Sequence, residues 1–187
     1  MRHNSDDDPR GPFAHTPVMH REVMEYIAGI TPCEGSVVVD CTLGEGGHSE
    51  LILGGFPDLR VVAFERDPEI LAIARERLSG FGKRFTVIND NFANIGENLE
   101  GMEGHVRCFL YDFGISSFHL DRSGRGFSFR GDEPLDMRLD PRLETDAARI
   151  VNTRREKELT DIFLGYGEER WAKRIARRIV ERRGAGP

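Results

Sequence analysis

Along the chain, apolar positions first gather at Ser36 to Asp40 (SVVVD), a β-branched run closed by an acid, which predicts a strand. A glycine-rich turn follows, and His48 to Leu53 then predicts a short helix. Arg60 to Glu65 (RVVAFE) predicts a second strand. Pro68 opens a helix through Leu78, because proline fits a first helical turn and Ile70, Leu71, Ala74 and Leu78 fall on one face. Arg84 to Asn89 (RFTVIN) predicts a third strand, Ala93 to Leu99 a short helix, and Val106 to Asp112 (VRCFLYD) a fourth strand ending on an acid. Strands alternating with helices predict an α/β fold with a parallel sheet covered on both faces.

From Thr145 the pattern turns wholly helical. Thr145 or Asp146 is the predicted cap of one helix, Glu158 to Leu164 forms a second and Glu168 to Arg183 a third. Between the two patterns, Asp121 to Pro141 is rich in Gly, Arg, Asp and Pro and predicts an ordered loop region. The expected organisation is a disordered leader over 1–14, the N-terminal part of an α/β core over 15–118, and a loop and helical domain over 119–187. A sheet of four such strands leaves the apolar fourth strand with one open side, an edge that invites pairing. No strand returns after the last helix, so the expectation is that a longer protein continues past Pro187.

Composition narrows the class. With 187 residues, 39% hydrophobic and 31% charged, the chain reads as a soluble globular protein of about one domain, not a disordered one. No run approaches the ~20 apolar residues of a membrane span, and Met1 to Pro12 lacks the apolar core of a signal peptide, which points to the cytosol. Cys33, Cys41 and Cys108 are too few and too scattered for a disulfide framework or a zinc site, so they read as reduced thiols. His15 and His20 flank a first helix, and none of the histidines has metal-ligand spacing.

A net charge of -6 argues against a uniformly basic coat for nucleic acid, but the average hides a patch. Arg170, Lys173, Arg174, Arg177, Arg178, Arg182 and Arg183 crowd the last helix, with Glu181 the only acid between residues 170 and 183. Trp171, Ala172, Ile175, Ala176 and Ile179 complete an amphipathic basic helix suited to phosphate contact. The solvated face of a packed helix explains the same run. Arg125, Arg130 and Arg138 are alternative contacts for RNA nearer the presumed site.

Candidate chemistry lies at the strand ends. After Asp40 comes Gly44-Glu45-Gly46-Gly47-His48, where glycines let backbone amides approach a ligand at a helix N-terminus; an ordinary strand-to-helix turn explains the same glycines. The dinucleotide fingerprint wants Gly or Ala where Ser49 stands, which disfavours nicotinamide and flavin. Glu65 follows about 20 residues later, where an acid accepts both hydroxyls of a ribose. Asp90-Asn91-Phe92 offers a polar group to an adenine edge and a ring to its face, although Phe92 also fits a core position. Asp112-Phe113-Gly114-Ile115-Ser116-Ser117 forms a polar turn at the carboxyl end of the sheet. Asp-Phe-Gly also occurs in protein kinases, but the other kinase motifs are missing here. The residues alone therefore describe an α/β nucleotide-cofactor enzyme with a locally basic helical appendage.

These motifs, together with His15-Thr16-Pro17-Val18, Arg125-Gly126-Phe127-Ser128-Phe129-Arg130, Pro134-Leu135-Asp136-Met137-Arg138 and Tyr166-Gly167-Glu168-Glu169-Arg170, resemble the bacterial 16S ribosomal RNA cytosine-N4 methyltransferases, the RsmH or MraW family. The resemblance implies S-adenosylmethionine as cofactor and a Rossmann-like methyltransferase core interrupted by a helical substrate domain. It implies a cytosine in the decoding region of 16S rRNA as target, within the small ribosomal subunit. The family's cofactor contacts fall on Gly46, Gly47, His48, Glu65, Phe92, Asp112 and His119. The reaction also needs a hydrogen-bond acceptor for the amine, for which Asp112 with nearby backbone carbonyls is the candidate, although a capping carboxylate explains the same residue. This chain departs from the family at Glu65, usually Asp, at Phe118-His119, usually Pro-Gln, and at Glu45, usually basic. A catalytically incompetent fragment that binds cofactor or RNA, and an NAD-dependent oxidoreductase, are the alternative readings.

Overall fold

The computed structural model describes residues 16–30, 35–102 and 104–184. The expected leader, His15 and Cys33 lie outside them. Two compact units divide the chain between Phe118 and His119.

In the first unit, α1 (His20–Gly29) precedes β1 (Val37–Asp40), α2 (Gly47–Gly55), β2 (Arg60–Phe64), α3 (Pro68–Arg77), β3 (Phe85–Ile88), α4 (Ile95–Asn98) and β4 (Val106–Leu110). The strands form one parallel sheet in the order β3-β2-β1-β4, with Val38 opposite both Val61 and Cys108. The steps from β1 to β2 to β3 run in one direction, which puts α2 and α3 on one face; the chain then crosses to the far side of β1, and α4 covers the other. On the first face Val38, Val61 and Ala63 pack with Ile27, Ile52, Leu53, Ala74 and Leu78. On the second, Val37, Val39, Val62 and Phe64 pack with Leu99. Burial on both faces is why β1 and β2 are continuous apolar runs in the sequence. The result is the parallel α/β sheet that the alternation of strands and helices predicts, in the Rossmann-like form that the resemblance implies.

The sequence of strands reverses direction between β1 and β4, and loops at the carboxyl ends open a crevice at such a point. β1 ends at Asp40 as predicted, whereas β2, β3 and β4 end one or two residues before the predicted limits, so Glu65, Asn89 and Asp112 stand in those loops. Among the described residues β4 pairs only with β1, and Phe109 is 48% exposed on the face away from Cys108 and Leu110. A 3-10 segment at Ser79–Arg84, not predicted, extends α3 beyond Leu78 to β3.

The second unit is helical. α5 (Ser117–Asp121) spans the division, and α6 (Ala147–Thr153), α7 (Glu156–Gly167) and α8 (Ala172–Arg183) follow. Asp146, not Thr145, caps α6, its carboxylate accepting the Arg149 N–H at 2.6 Å. The predicted third helix starts too early. Glu168 ends α7 in the left-handed region at φ 47°, and Glu169 Oε1 accepts the Trp171 N–H at 2.7 Å, so the Glu-Glu-Arg run is a turn between two helices. Leu159, Ala172 and Ala176 are the buried apolar side chains of this unit among the described residues.

The loop region ahead of α6 is ordered by its arginines. Arg125 is buried and its guanidinium donates to the Arg138 carbonyl at 3.0 Å. Arg138 forms a bidentate pair with Asp136, at 2.8 and 2.6 Å, and donates to the carbonyls of Pro141 and Leu143. The guanidinium holds the Asp136 carboxyl at a pKa of about 2. Arg125 and Arg138, expected as candidate RNA contacts, are thus committed to the chain itself, whereas Arg130 is exposed beside Asp121 at 3.4 Å.

Candidate functional site at the carboxyl edge of the sheet

Asp40, the last residue of β1, turns inward and organises the glycine loop. Its carboxylate accepts the Ser49 hydroxyl at 2.7 Å and the Thr42 N–H at 3.2 Å. Burial pushes this carboxyl above its usual range, and the hydrogen bonds from Ser49 and Thr42 oppose the shift. Ser49 is fully buried, which gives a physical reason for serine where a dinucleotide fingerprint has glycine or alanine: its hydroxyl ties the first turn of α2 back to β1. The pair is nine residues apart across the loop, and only that spacing hints at it in the sequence.

The loop itself needs glycine. Gly46, the N-cap of α2, has φ 86°, and a Cβ there would meet the Leu78 side chain at 3.0 Å. A Cβ on Gly47 would meet Pro17 Cγ at 2.6 Å. No side chain caps α2, so its first-turn N–H groups and the positive end of its dipole stand at the sheet edge.

Glu65 follows β2 by one residue, and both of its oxygens are held by backbone: Oε2 accepts the Gly44 N–H at 3.1 Å and Oε1 the Asp67 N–H at 2.9 Å. Burial raises its pKa and these two bonds counter the rise. Each oxygen keeps further acceptor capacity, since a carboxylate offers about four lone-pair sites. The extra methylene of Glu over Asp spans the gap to the glycine loop.

Asp112 follows β4 by two residues. Its N–H donates to Thr42 Oγ1 at 2.7 Å, which pins the loop after β4 to the loop after β1. Its carboxylate is half exposed and lies 3.7 Å from His48 Nε2, beyond direct hydrogen-bond distance. His48, in the first turn of α2, is buried, and its Nδ1 has no hydrogen-bond partner. The side-chain hydrogen bonds of Asp90 and Asn91, predicted beside an adenine edge, are local: Asp90 accepts from Asn94 and Asn98, and Asn91 caps the turn at Ala93.

Phe92 stands after β3 in an aromatic cluster the sequence reading did not single out. Its ring meets Tyr111 edge-on at 5.6 Å and Phe113 at 6.1 Å, while Tyr111 and Phe113 stack at 5.4 Å. Phe113 is 74% exposed. The sequence signal for this cluster is the pair of aromatic residues two positions apart just past β4, Tyr111 and Phe113.

Gly46, Gly47, His48, Glu65, Phe92 and Asp112 therefore all stand in the first unit, on the loops or the first helical turns that follow the carboxyl ends of the strands. His119 belongs to the second unit, where it is buried with its ring 5.0 Å from Phe127 and its carbonyl accepting the Ser123 hydroxyl. Among the described residues no His, Cys, Asp or Glu cluster is placed to hold a metal ion, and no helix is long and apolar enough to cross a membrane.

The sequence profile of the MraW methylase family matches residues 12–187. The "Ribosomal RNA small subunit methyltransferase H" of Geobacter sulfurreducens is 49% identical over 178 residues, covering 94% of this chain and 56% of that protein. The protein of the same name from Clavibacter michiganensis subsp. michiganensis is 46% identical over 174 residues, covering 92% and 55%. The chain spans about half the length of the curated relatives it matches. Among solved structures, an rRNA methylase from Streptococcus thermophilus overlays 41% of this chain and 45% of its own at 26% identity, with a TM-score of 0.35, too low to argue from.

Proposed function

Because the chain belongs to the MraW methylase family, we propose that its first unit builds the methyl-donor site of an RNA methyltransferase and that the donor is S-adenosylmethionine. The acceptor in this reading is the N4 amine of a cytosine in the decoding region of 16S ribosomal RNA, met within the small ribosomal subunit in the cytoplasm. The names of the relatives, small-subunit ribosomal RNA methyltransferases, support RNA as the substrate class. A dinucleotide-dependent oxidoreductase has no counterpart among them.

The residues present fit the donor. Glu65 retains acceptor capacity on both oxygens for a ribose diol, and the uncapped N-terminus of α2 suits a carboxylate. The exposed ring of Phe113 beside Phe92 offers an apolar face to adenine, and the buried, unpartnered Nδ1 of His48 is a polar atom the protein alone leaves unsatisfied. Their convergence at the point where strand order reverses is the observation that carries the proposal. His119 is retained as a proposed contact on the resemblance alone.

When bound, S-adenosylmethionine supplies an electrophilic methyl group on a sulfonium. The amine of cytosine is a weak nucleophile because its lone pair is delocalised into the ring, so the work of the protein is alignment. Alignment of two reactants is worth on the order of 7–11 kcal/mol of a barrier, and one acid–base contact about 10²–10⁴-fold in rate. Asp112 orients the amine by accepting a hydrogen bond from it. The Thr42 hydroxyl fixes the Asp112 backbone, and the half-exposed carboxylate is free to meet the base.

Calorimetric titration of the 187-residue chain with S-adenosylmethionine tests the reading, with NAD and a Glu65→Ala variant as controls. The expected result is saturable binding, weakened at least tenfold by Glu65→Ala, and none for NAD. A folded chain that binds NAD, or binds S-adenosylmethionine equally well without the Glu65 carboxylate, overturns it.

A further inference from the structure

The start of α8 carries a second concentration of chemistry, far along the chain from the donor site. A surface cavity there is lined by Arg170, Trp171, Lys173, Arg174 and Arg177. The helix packs through Ala172 and Ala176, not through its largest apolar residue: Trp171 is 63% exposed and Ile175 is 37% exposed one turn later. The amphipathic stripe expected from the sequence is therefore split, with the small residues buried and the indole left in solvent. The Arg174 guanidinium lies over the indole, 5.8 Å from its centroid.

The cations of α8 divide in the same way. Towards its C-terminus, Arg178 pairs with Glu181 at 3.2 Å, and Arg183 donates to the carbonyls of Val151 and Arg154 at 3.0 and 2.7 Å, satisfying the end of α6. Around the N-terminus, Arg177 has a loose pair with Glu156 at 3.7 Å, and among the described residues Arg170 and Lys173 have no carboxylate within ion-pair distance. No acid stands in the first turn. Glu169 meets the Trp171 N–H at this end of the helix, but among the described residues no ion pair ties its carboxylate to Arg170 or Lys173, whose charges stay open to solvent. An open indole among such cations matches a strand that offers phosphates and unstacked bases together.

We propose that this cluster is a subsite for single-stranded RNA, in which Trp171 stacks on an unpaired base while Arg170, Lys173 and Arg174 hold the adjoining phosphates. The inference rests on the reading of the chain as part of an RNA methyltransferase, and assigns one place where the strand is held. A charge-only site would take any polyanion, whereas this one distinguishes RNA from an acidic peptide by the base.

Trp171 is the only tryptophan of the chain, so intrinsic fluorescence reads this site alone. The 187-residue chain is titrated with a short single-stranded oligoribonucleotide, with inorganic polyphosphate and with polyglutamate, while anisotropy of labelled RNA reports affinity. Saturable quenching by RNA, and no quenching by the two polyanions, is the expected result. Trp171→Ala weakens binding about 5- to 100-fold while Trp171→Phe retains most of it. Arg170→Glu and Lys173→Glu each reduce the slope of log affinity against log salt by about one, with donor titration unchanged in every variant. RNA binding that leaves the fluorescence unchanged or survives Trp171→Ala, or polyglutamate that quenches and competes as RNA does, overturns the subsite. Donor binding alongside any of these results leaves the donor-site reading intact. A folded chain that binds neither donor nor RNA overturns both.

Discussion

Asp40 closes β1 and Glu65 follows β2 by one residue, yet the two acids are used in opposite ways. The Asp40 carboxylate faces the core and binds Ser49 and Thr42, whereas Glu65 faces the loops and keeps acceptor capacity. Burial raises the pKa of both above 3.8 and 4.5, so each contributes stability that is full below those values and lost as pH rises through the folded value. Asp40→Asn keeps a group for each partner and removes the buried charge. Its melting temperature relative to the parent chain is expected to rise between pH 4 and pH 7, and a difference independent of pH means that Asp40 carries no such cost. For Asp112 the expected effect is on rate: Asp112→Asn lowers single-turnover methyl transfer by a full-length homologous enzyme about 10²-fold or more at saturating donor. Full turnover in that variant removes Asp112 from the role of amine acceptor. The acids at these strand ends were legible because a carboxylate after an apolar run is unusual. The inward turn of Asp40 was not, since its partner Ser49 is identified only by the fold.

At the scale of elements, strands and core helices follow from local pattern, and errors gather where side chains decide a boundary. The charged run before Ala172 has helical composition, but Glu168 takes a left-handed conformation and Glu169 caps the next N–H, so a turn replaces the first part of the predicted helix. The loop ahead of α6 shows the same dependence on contacts remote in sequence. Gly126 has φ 79°, and a Cβ there would meet the Pro134 carbonyl oxygen at 2.5 Å, while its N–H donates to Glu133 at 2.8 Å. Gly126→Ala adds a left-handed penalty of roughly 1–2 kcal/mol to that clash. It is expected to destabilise the second unit by at least about 2 kcal/mol in urea unfolding followed by Trp171 fluorescence; a variant within about 0.5 kcal/mol of the parent means that the loop readily rearranges.

On the scale of the whole molecule, the two units differ in core. The first buries strands on both faces of a sheet, while the second has Leu159, Ala172 and Ala176 as its buried apolar side chains among the described residues. So small a core supports little independent stability. In urea, Trp171 fluorescence, which reads the second unit alone, is expected to change at a lower midpoint than far-ultraviolet circular dichroism; coincident midpoints mean one cooperative transition. By itself the sequence determined the strand and helix order, the parallel sheet, and the acids and glycines at the loop ends, because alternation, β-branched runs and turn residues act over a few neighbouring positions. Only the tertiary structure decided that Asp40 and Ser49 bond across the glycine loop, that Tyr111 and Phe113 join Phe92, and that Arg125 and Arg138 serve the chain while Trp171 stays in solvent. Each of these depends on which residues distant in sequence are brought within a few ångströms, a property of strand order and helix packing rather than of any local pattern.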